Sequence, residues 1–244
     1  MTGPDAAAKE RAVEPVKVLV TRAEEDCAPL EALLRARGFA PVRMPCIAIE
    51  DLPCELPEAP DFVVVASPHA ARRLRGRFPG ARFAAVGEAT AAALGLPGVL
   101  VPSSGAGAEA LLPTLAPLVR GKTVLLPRAE DGNPALAAQL EAAGARVVAV
   151  ALYRTVTAAR ADPAVLALLK SGSIAAAAFA SGSAARGFVA LAGAAAAASL
   201  RVACMGSLCA DEARKAGLQV NAVAGGGLPS LCDAVEAALS SRQP

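Results

Sequence analysis

Two stretches of the chain place a serine at the same point of the same phrase. DFVVVASPHAARRL (Asp61–Leu74) and SIAAAAFASGSAARGF (Ser173–Phe188) each carry an apolar run, then Ser67 or Ser181, then small residues with Ala and Arg at helical spacing. A serine that ends a strand and opens a helix is an N-cap: its hydroxyl accepts an orphan amide of the first turn, a contribution of ~1 kcal/mol that requires no ligand. Pro68 suits the first helical position after Ser67. The other amides of such a turn carry partial positive charge and favour carboxylates or phosphates. Capping alone accounts for either serine taken singly. Comparable small or polar residues, however, follow other apolar runs: Thr21-Arg22, Gly87, Ser103-Ser104-Gly105, Arg128, Gly206-Ser207 and Gly225-Gly226-Gly227. In parallel sheets ligands sit beyond the carboxyl ends of strands, so these turns together predict pocket rims suited to a polyanionic ligand.

Other chemistry has little to work with. One histidine, His69, and six cysteines (Cys27, Cys46, Cys54, Cys204, Cys209, Cys232) with no CxxC pair supply no metal ligand set, so the cysteines read as buried, reduced thiols. No Walker motif, nucleophile elbow or HExxH is present. GAGAEA (Gly105–Ala110) has the form GxGxxA, with Glu130 and Asp131 some way on, and resembles a dinucleotide fingerprint. It does not follow the first strand of the fold, and the cognate AGGGLPS lacks it, so no cofactor is expected. A net charge of +2 gives no polybasic face for nucleic acid. The Ala-rich stretch around Ala175–Ala203 is broken by Arg186, Arg201 and glycines and is not a membrane span. The opening MTGPDAAAKERAVEP mixes charge signs without an apolar centre and reads as a frayed leader, which predicts a cytoplasmic protein.

The elements that must carry the rims alternate strand and helix. VKVLV, the helical CAPLEALLRARG and PVRMPCIAI form a βαβ unit, and TVLLPRAEDG, LAAQLEAAG and RVVAVALYR repeat it. The serine phrases open a second kind of unit. DFVVVAS leads to RFAAVG, EATAAALG, GVLVP and a helix over 108–119, as IAAAAFAS leads to RVACMG, SLCADEARKAG, QVNAVA and a helix over 229–239. The order is A–B–A′–B′, and apolar strands in βα alternation predict two doubly wound parallel sheets in an α/β protein. Pro41–Ile49 and Arg146–Val156 are long extended runs that could pair as a connector, which favours a nested pairing of A with B′ and B with A′. The expected boundaries are 16–40 plus 158–244 for one domain, 55–150 for the other, and 41–54 with 148–157 as a two-stranded antiparallel linker.

VLVTRAEED, VVVASPHA, AAVGEATAAAL, VPSSGAGAEALL, VLLPRAEDG, VALYRT, FASGSA and CMGSLCADEARKAG, in this order and spacing, resemble uroporphyrinogen-III synthases over the chain after residue 15. The resemblance implies two α/β domains with the N-terminal βα unit completing the C-terminal domain, and a cleft between them. It implies an enzyme, a cyclising hydro-lyase of tetrapyrrole (haem and sirohaem) biosynthesis. Such an enzyme closes hydroxymethylbilane with inversion of the last pyrrole ring and loss of water, without metal or cofactor. It also implies a monomer, in transient contact with the enzyme that precedes it in the pathway.

Carried over by position, Ser67, Gly87, Thr90, Ser104, Ser181, Ser183, Gly206 and Ser207 line the cleft, with Thr21, Arg22, His69 and Arg128 near it. Tyr153, the single tyrosine, matches the family's recurrent Y-x-T and is the candidate general acid, since phenols ordinarily keep their proton at neutral pH. Cys209 stands where many relatives have threonine. Each candidate has a plainer alternative: Tyr153 packed on the linker, His69 a solvated helix start, Arg22 and Arg128 exposed turn charges, Thr90 a packing or capping residue. Two rival functions remain open from the residues: a two-domain protein that closes on a polyanion without chemistry, and a nucleotide-dependent enzyme using GAGAEA.

Overall fold

The computed structural model describes residues 14–105 and 107–241; the expected leader falls largely outside them. The chain divides into two compact units, one running through Ala48 and resuming at Val156, the other Ile49–Thr155.

The first unit is built on a five-stranded sheet of order β10-β9-β8-β1-β2. Its strands are β1 (Lys17–Val20), β2 (Ala40–Arg43), β8 (Ala176–Phe179), β9 (Arg201–Met205) and β10 (Val220–Ala224). All neighbours run parallel, with Leu19 opposite both Val42 and Ala177. This is the nested pairing. β1 alternates between two cores: Val18 and Val20 pack with Leu30 and Leu34 of α1 (Cys27–Ala36) and Leu231 and Val235 of α9 (Gly227–Ser240). Leu19 points to the opposite face, among Leu169 of α6 (Pro163–Lys170), Phe188 of α7 (Gly182–Ala192) and Ala213 of α8 (Gly206–Lys215). Helices cover both faces because every residue of β8 is buried, and a strand so buried needs apolar cover on each side.

The second unit repeats the plan with order β3-β7-β6-β4-β5. The strands are β3 (Ile47–Asp51), β4 (Phe62–Val65), β5 (Arg82–Ala85), β6 (Thr123–Ala129) and β7 (Arg146–Thr157). Phe62 and Val64 face α4 (Ala108–Val119) and α5 (Ala135–Ala142), while Val63 and Val65 face α2 (Pro68–Arg73) and α3 (Glu88–Leu94). β4 pairs in parallel with both β5 and β6. No helix among the described residues is long and apolar enough to cross a membrane.

Three details differ from the sequence reading. The segment expected as one arm of the linker, 41–54, is divided: Ala40–Arg43 is the edge strand of the first sheet, and only Ile47–Asp51 lies beside β7. Pro45 interrupts the run, and the chain changes sheets there. The expected strand at GVLVP is reduced to a single bridge, Leu100 to Ala84, where Pro97, Gly98 and Pro102 limit regular pairing. Five cysteines are buried as expected but Cys54 is exposed. Burial pushes the Cys27 thiol up to about 11 and the Cys46 thiol up to about 12, which keeps both unreactive at neutral pH.

Gly187 shows how tightly α7 approaches the turn after β2. A Cβ there would lie 2.1 Å from the carbonyl oxygen of Cys46, which already accepts the amide of Ala158 at 3.1 Å. Neither backbone group can retreat cheaply. Gly187→Ala should therefore destabilise the fold by at least the ~1–3 kcal/mol of an overpacked core, read as a lower urea midpoint. An unchanged midpoint would mean that α7 moves freely over this turn.

Candidate active site

Each sheet reverses its strand order once, at β1/β8 and at β4/β6, and ligands of such folds gather beyond the strand ends at that point. In the first unit the seam is closed by the chain itself: Thr21 is fully buried and its hydroxyl donates to the carbonyl of Ala178 at 2.9 Å. Thr21 therefore holds β1 to β8 and offers no hydroxyl to a ligand.

In the second unit the corresponding point is open. A cavity of about 380 Å³ lies at the ends of β4 and β6, walled by Leu126, Leu136 and Ala129 and carrying Ser67, Arg128 and Tyr153. Ser67 caps α2, accepting the Ala70 amide at 3.1 Å, and the same hydroxyl lies 2.8 Å from the phenol oxygen of Tyr153. Arg128 donates to the carbonyl of Gly132, so its guanidinium is folded over its own turn.

Tyr153 is 5% exposed. Its placement depends on an irregularity: along the β6–β7 pairing Arg128 lies opposite Ala151 but Ala129 lies opposite Tyr153, so Leu152 is an extra residue in β7. Strict alternation would send Leu152 and Tyr153 to opposite faces; with the bulge both join the cluster under α2 and α3. The Tyr153 ring lies 5.5 Å from that of His69 and carries the Arg73 guanidinium 5.1 Å from its centroid.

The remaining expected residues are dispersed. His69 is half-buried on α2, with Nδ1 2.9 Å from Arg72, and does not line the cavity. Gly87 precedes α3, Thr90 is buried within it, and Ser104 is exposed in the loop before α4; none of the three lines the cavity. In the first unit Ser181 caps α7 by accepting the Ala184 amide at 3.2 Å, and Ser183 accepts from Arg186 at 3.3 Å. Gly206 opens α8 at φ 80°, and Ser207 is exposed in its first turn beside Leu208, which is 82% exposed. Arg22 pairs with Asp26 at 3.5 Å. Cys209 points inward and donates to the Phe179 carbonyl at 3.4 Å, so its side chain does not take the place of a ligand-binding threonine hydroxyl. Its hydrogen bond with Cys204, with burial, pushes the Cys204 thiol far up.

Sequence reasoning missed three features of the cavity. Gly107 and Glu109 bring the start of α4 to its wall, and Gln139 of α5 adds a buried side-chain oxygen that finds no hydrogen-bond partner among the described residues. A polar residue between Leu136 and Leu140, on the buried side of α5, was the available signal for Gln139.

The two serines do different work, and this can be measured. Ser67→Ala and Ser181→Ala should each lower stability by ~1 kcal/mol through the lost cap. Only Ser67→Ala should also alter the near-ultraviolet circular dichroism of Tyr153, the single tyrosine in a chain without tryptophan. Equal spectral effects from both variants would contradict this geometry.

A sequence model described as uroporphyrinogen-III synthase HemD matches residues 28–226. Among solved structures, uroporphyrinogen-III synthetase from Helicobacter pylori is similar with a TM-score of 0.63 at 20% identity, over 93% of this chain and all of that one (100%). Uroporphyrinogen III synthase from Thermus thermophilus aligns at 22% identity over 92% of this chain and 100% of the other, with a TM-score of 0.44. With the family's sequence pattern running through both units, the chain belongs to the uroporphyrinogen-III synthase family.

Proposed function

We propose that the chain is a cyclising hydro-lyase that converts hydroxymethylbilane to uroporphyrinogen III, with Tyr153 as the general acid. Membership of an enzyme family of tetrapyrrole synthesis replaces the binding-only and nucleotide-dependent alternatives. The observation that carries the role of Tyr153 is its hydrogen bond to Ser67 at the wall of the cavity of the second unit. A phenol held there can donate its proton as the C–O bond of the hydroxymethyl group breaks. Water leaves, the pyrrole nitrogen supplies the electron pair, and an electrophilic azafulvene remains. The substituted carbon of the last ring attacks it to give a spiro intermediate, which opens and recloses with that ring inverted. Loss of a proton from carbon restores the pyrrole and can return the phenol to its starting state, so the net change is loss of one water.

Carboxylates such as those of the substrate suit helix starts, and each unit by itself presents some at the ends of its strands. In the second unit these are Ser67 and the first turn of α4; in the first, Ser181, Ser183, Gly206 and Ser207. Arg128 adds positive charge at the wall of the cavity of the second unit. We assign the enzyme to the cytoplasm, in keeping with cysteines that are all free thiols.

Incubation with freshly made hydroxymethylbilane, followed by oxidation and chromatography, should give chiefly the type III isomer. Uncatalysed closure leaves the ring unrearranged, so type I product at every enzyme concentration would overturn the assignment. Tyr153→Phe should lower turnover by about 10²-fold with fold and substrate binding retained, the lower end for general acid catalysis because the pyrrole nitrogen assists departure. Near-full turnover by this variant, with Ser67→Ala inactive, would transfer the chemical role to the serine.

A further inference from the structure

We propose that Arg73 is a positioning residue for the reaction, which fixes the Tyr153 ring and stabilises the negative charge the ring gains as the phenol gives up its proton. The inference rests on the reading of Tyr153 as the acid.

Arg73 sits in the last turn of α2, with its guanidinium carbon 5.1 Å from the centre of the Tyr153 ring. Three of its five N–H donors are taken up by neighbouring groups. Nε donates to Oδ1 of Asp51 at 2.6 Å, one terminal nitrogen donates to the same oxygen, and the other donates to the carbonyl of His69 at 3.1 Å. Asp51 ends β3, and His69 lies one turn earlier on α2, so strand and helix together hold the cation over the ring. Arg73 does not line the 380 Å³ cavity, whereas Tyr153 and Ser67 do. It therefore supports the phenol from outside the cavity and is not a carboxylate ligand within it.

An exposed Arg–Asp pair by itself contributes little to stability. The position over the ring is what gives Arg73 a role in rate. In the resting enzyme the guanidinium, already paired with the Asp51 carboxylate, meets the ring through the ring's quadrupole. As the proton moves to the departing oxygen, the ring becomes anionic and the contact becomes a charge–charge attraction. An interaction that strengthens between ground and transition state raises kcat and leaves substrate binding alone.

The test is a double-mutant cycle on the full chain with hydroxymethylbilane. Arg73→Gln should lower kcat by about 5–10-fold with KM within about twofold, and Arg73→Lys, which keeps the charge, should recover part of the loss. In the Tyr153→Phe background the same change should cost less than about twofold, because the group through which Arg73 acts is gone. Arg73→Gln should also weaken the near-ultraviolet dichroism of Tyr153. If Arg73→Gln leaves kcat unchanged while Tyr153→Phe is slow, the proposal falls and the acid reading stands. A loss that persists undiminished without the phenol also overturns it, since Arg73 then acts elsewhere. Near-full turnover by Tyr153→Phe removes the acid reading and the proposal with it. Should Arg73→Gln fail to fold, Arg73→Lys carries the same cycle, and an equal loss in both backgrounds again overturns the proposal.

Discussion

Burial of the central strands on both faces is the constraint from which the rest of this architecture follows. β4 and β8 have no residue open to solvent, so each sheet must be covered twice. Parallel strands linked by helices satisfy that demand and bring the carboxyl ends of the strands to one edge of each sheet. There the chain turns, and the turns must satisfy the first amides of the following helices. Ser67 and Ser181 do so with their hydroxyls, leaving further amides at positions where a carboxylate can approach. Polar chemistry is thus concentrated at the one place where a very apolar chain cannot avoid exposing its backbone.

Two equivalent seams have diverged in use. At β1/β8 the Thr21 hydroxyl is directed inward, across to Ala178, and closes the junction. At β4/β6 the residue that corresponds to Thr21 is Pro127, which has no hydroxyl, and Ser67, the counterpart of Ser181, faces a cavity and shares a hydrogen bond with a tyrosine from a third strand. The bulge at Leu152 allows this, because it turns Tyr153 onto a face that regular alternation would deny it. Repetition of the fold supplied two candidate sites; local departures from the repeat gave each a separate task.

The fold was readable because its evidence is periodic. Apolar runs, glycine stops and the recurrence of whole phrases define the alternation, and the long β7 pointed to nested pairing. The division of 41–54 between two sheets was less accessible, since Pro45 interrupts a run that is apolar on either side and composition does not say which sheet each half joins. At the site, Ser67 and Tyr153 could be named singly, but their contact joins residues 86 positions apart. The fate of Thr21 depends on a carbonyl 157 positions away. Arg73 belonged to an apparently ordinary Arg72-Arg73 pair on a short helix; only the placement of β3 and β7 beneath α2 distinguishes it from its neighbour. Local signals identify caps and turns, whereas the assignment of a side chain to a ligand, a seam or a ring depends on partners far along the chain.

The nested connectivity also bears on the order in which the protein can be built. Ile49–Thr155 is one continuous segment, so its compact unit can form as soon as that length has left the ribosome. The first unit cannot: β1 and α1 emerge first, yet the neighbouring strand β8 is not made until after the whole of the inserted segment. Throughout that interval Val18, Leu19 and Val20 have one side of their strand without its native neighbour, and the closing contact carries a large loop-closure cost. Newly made chains should therefore pass through a state in which the later-encoded middle is folded while the earlier-encoded strand waits, and that waiting edge is where misassembly during synthesis would begin.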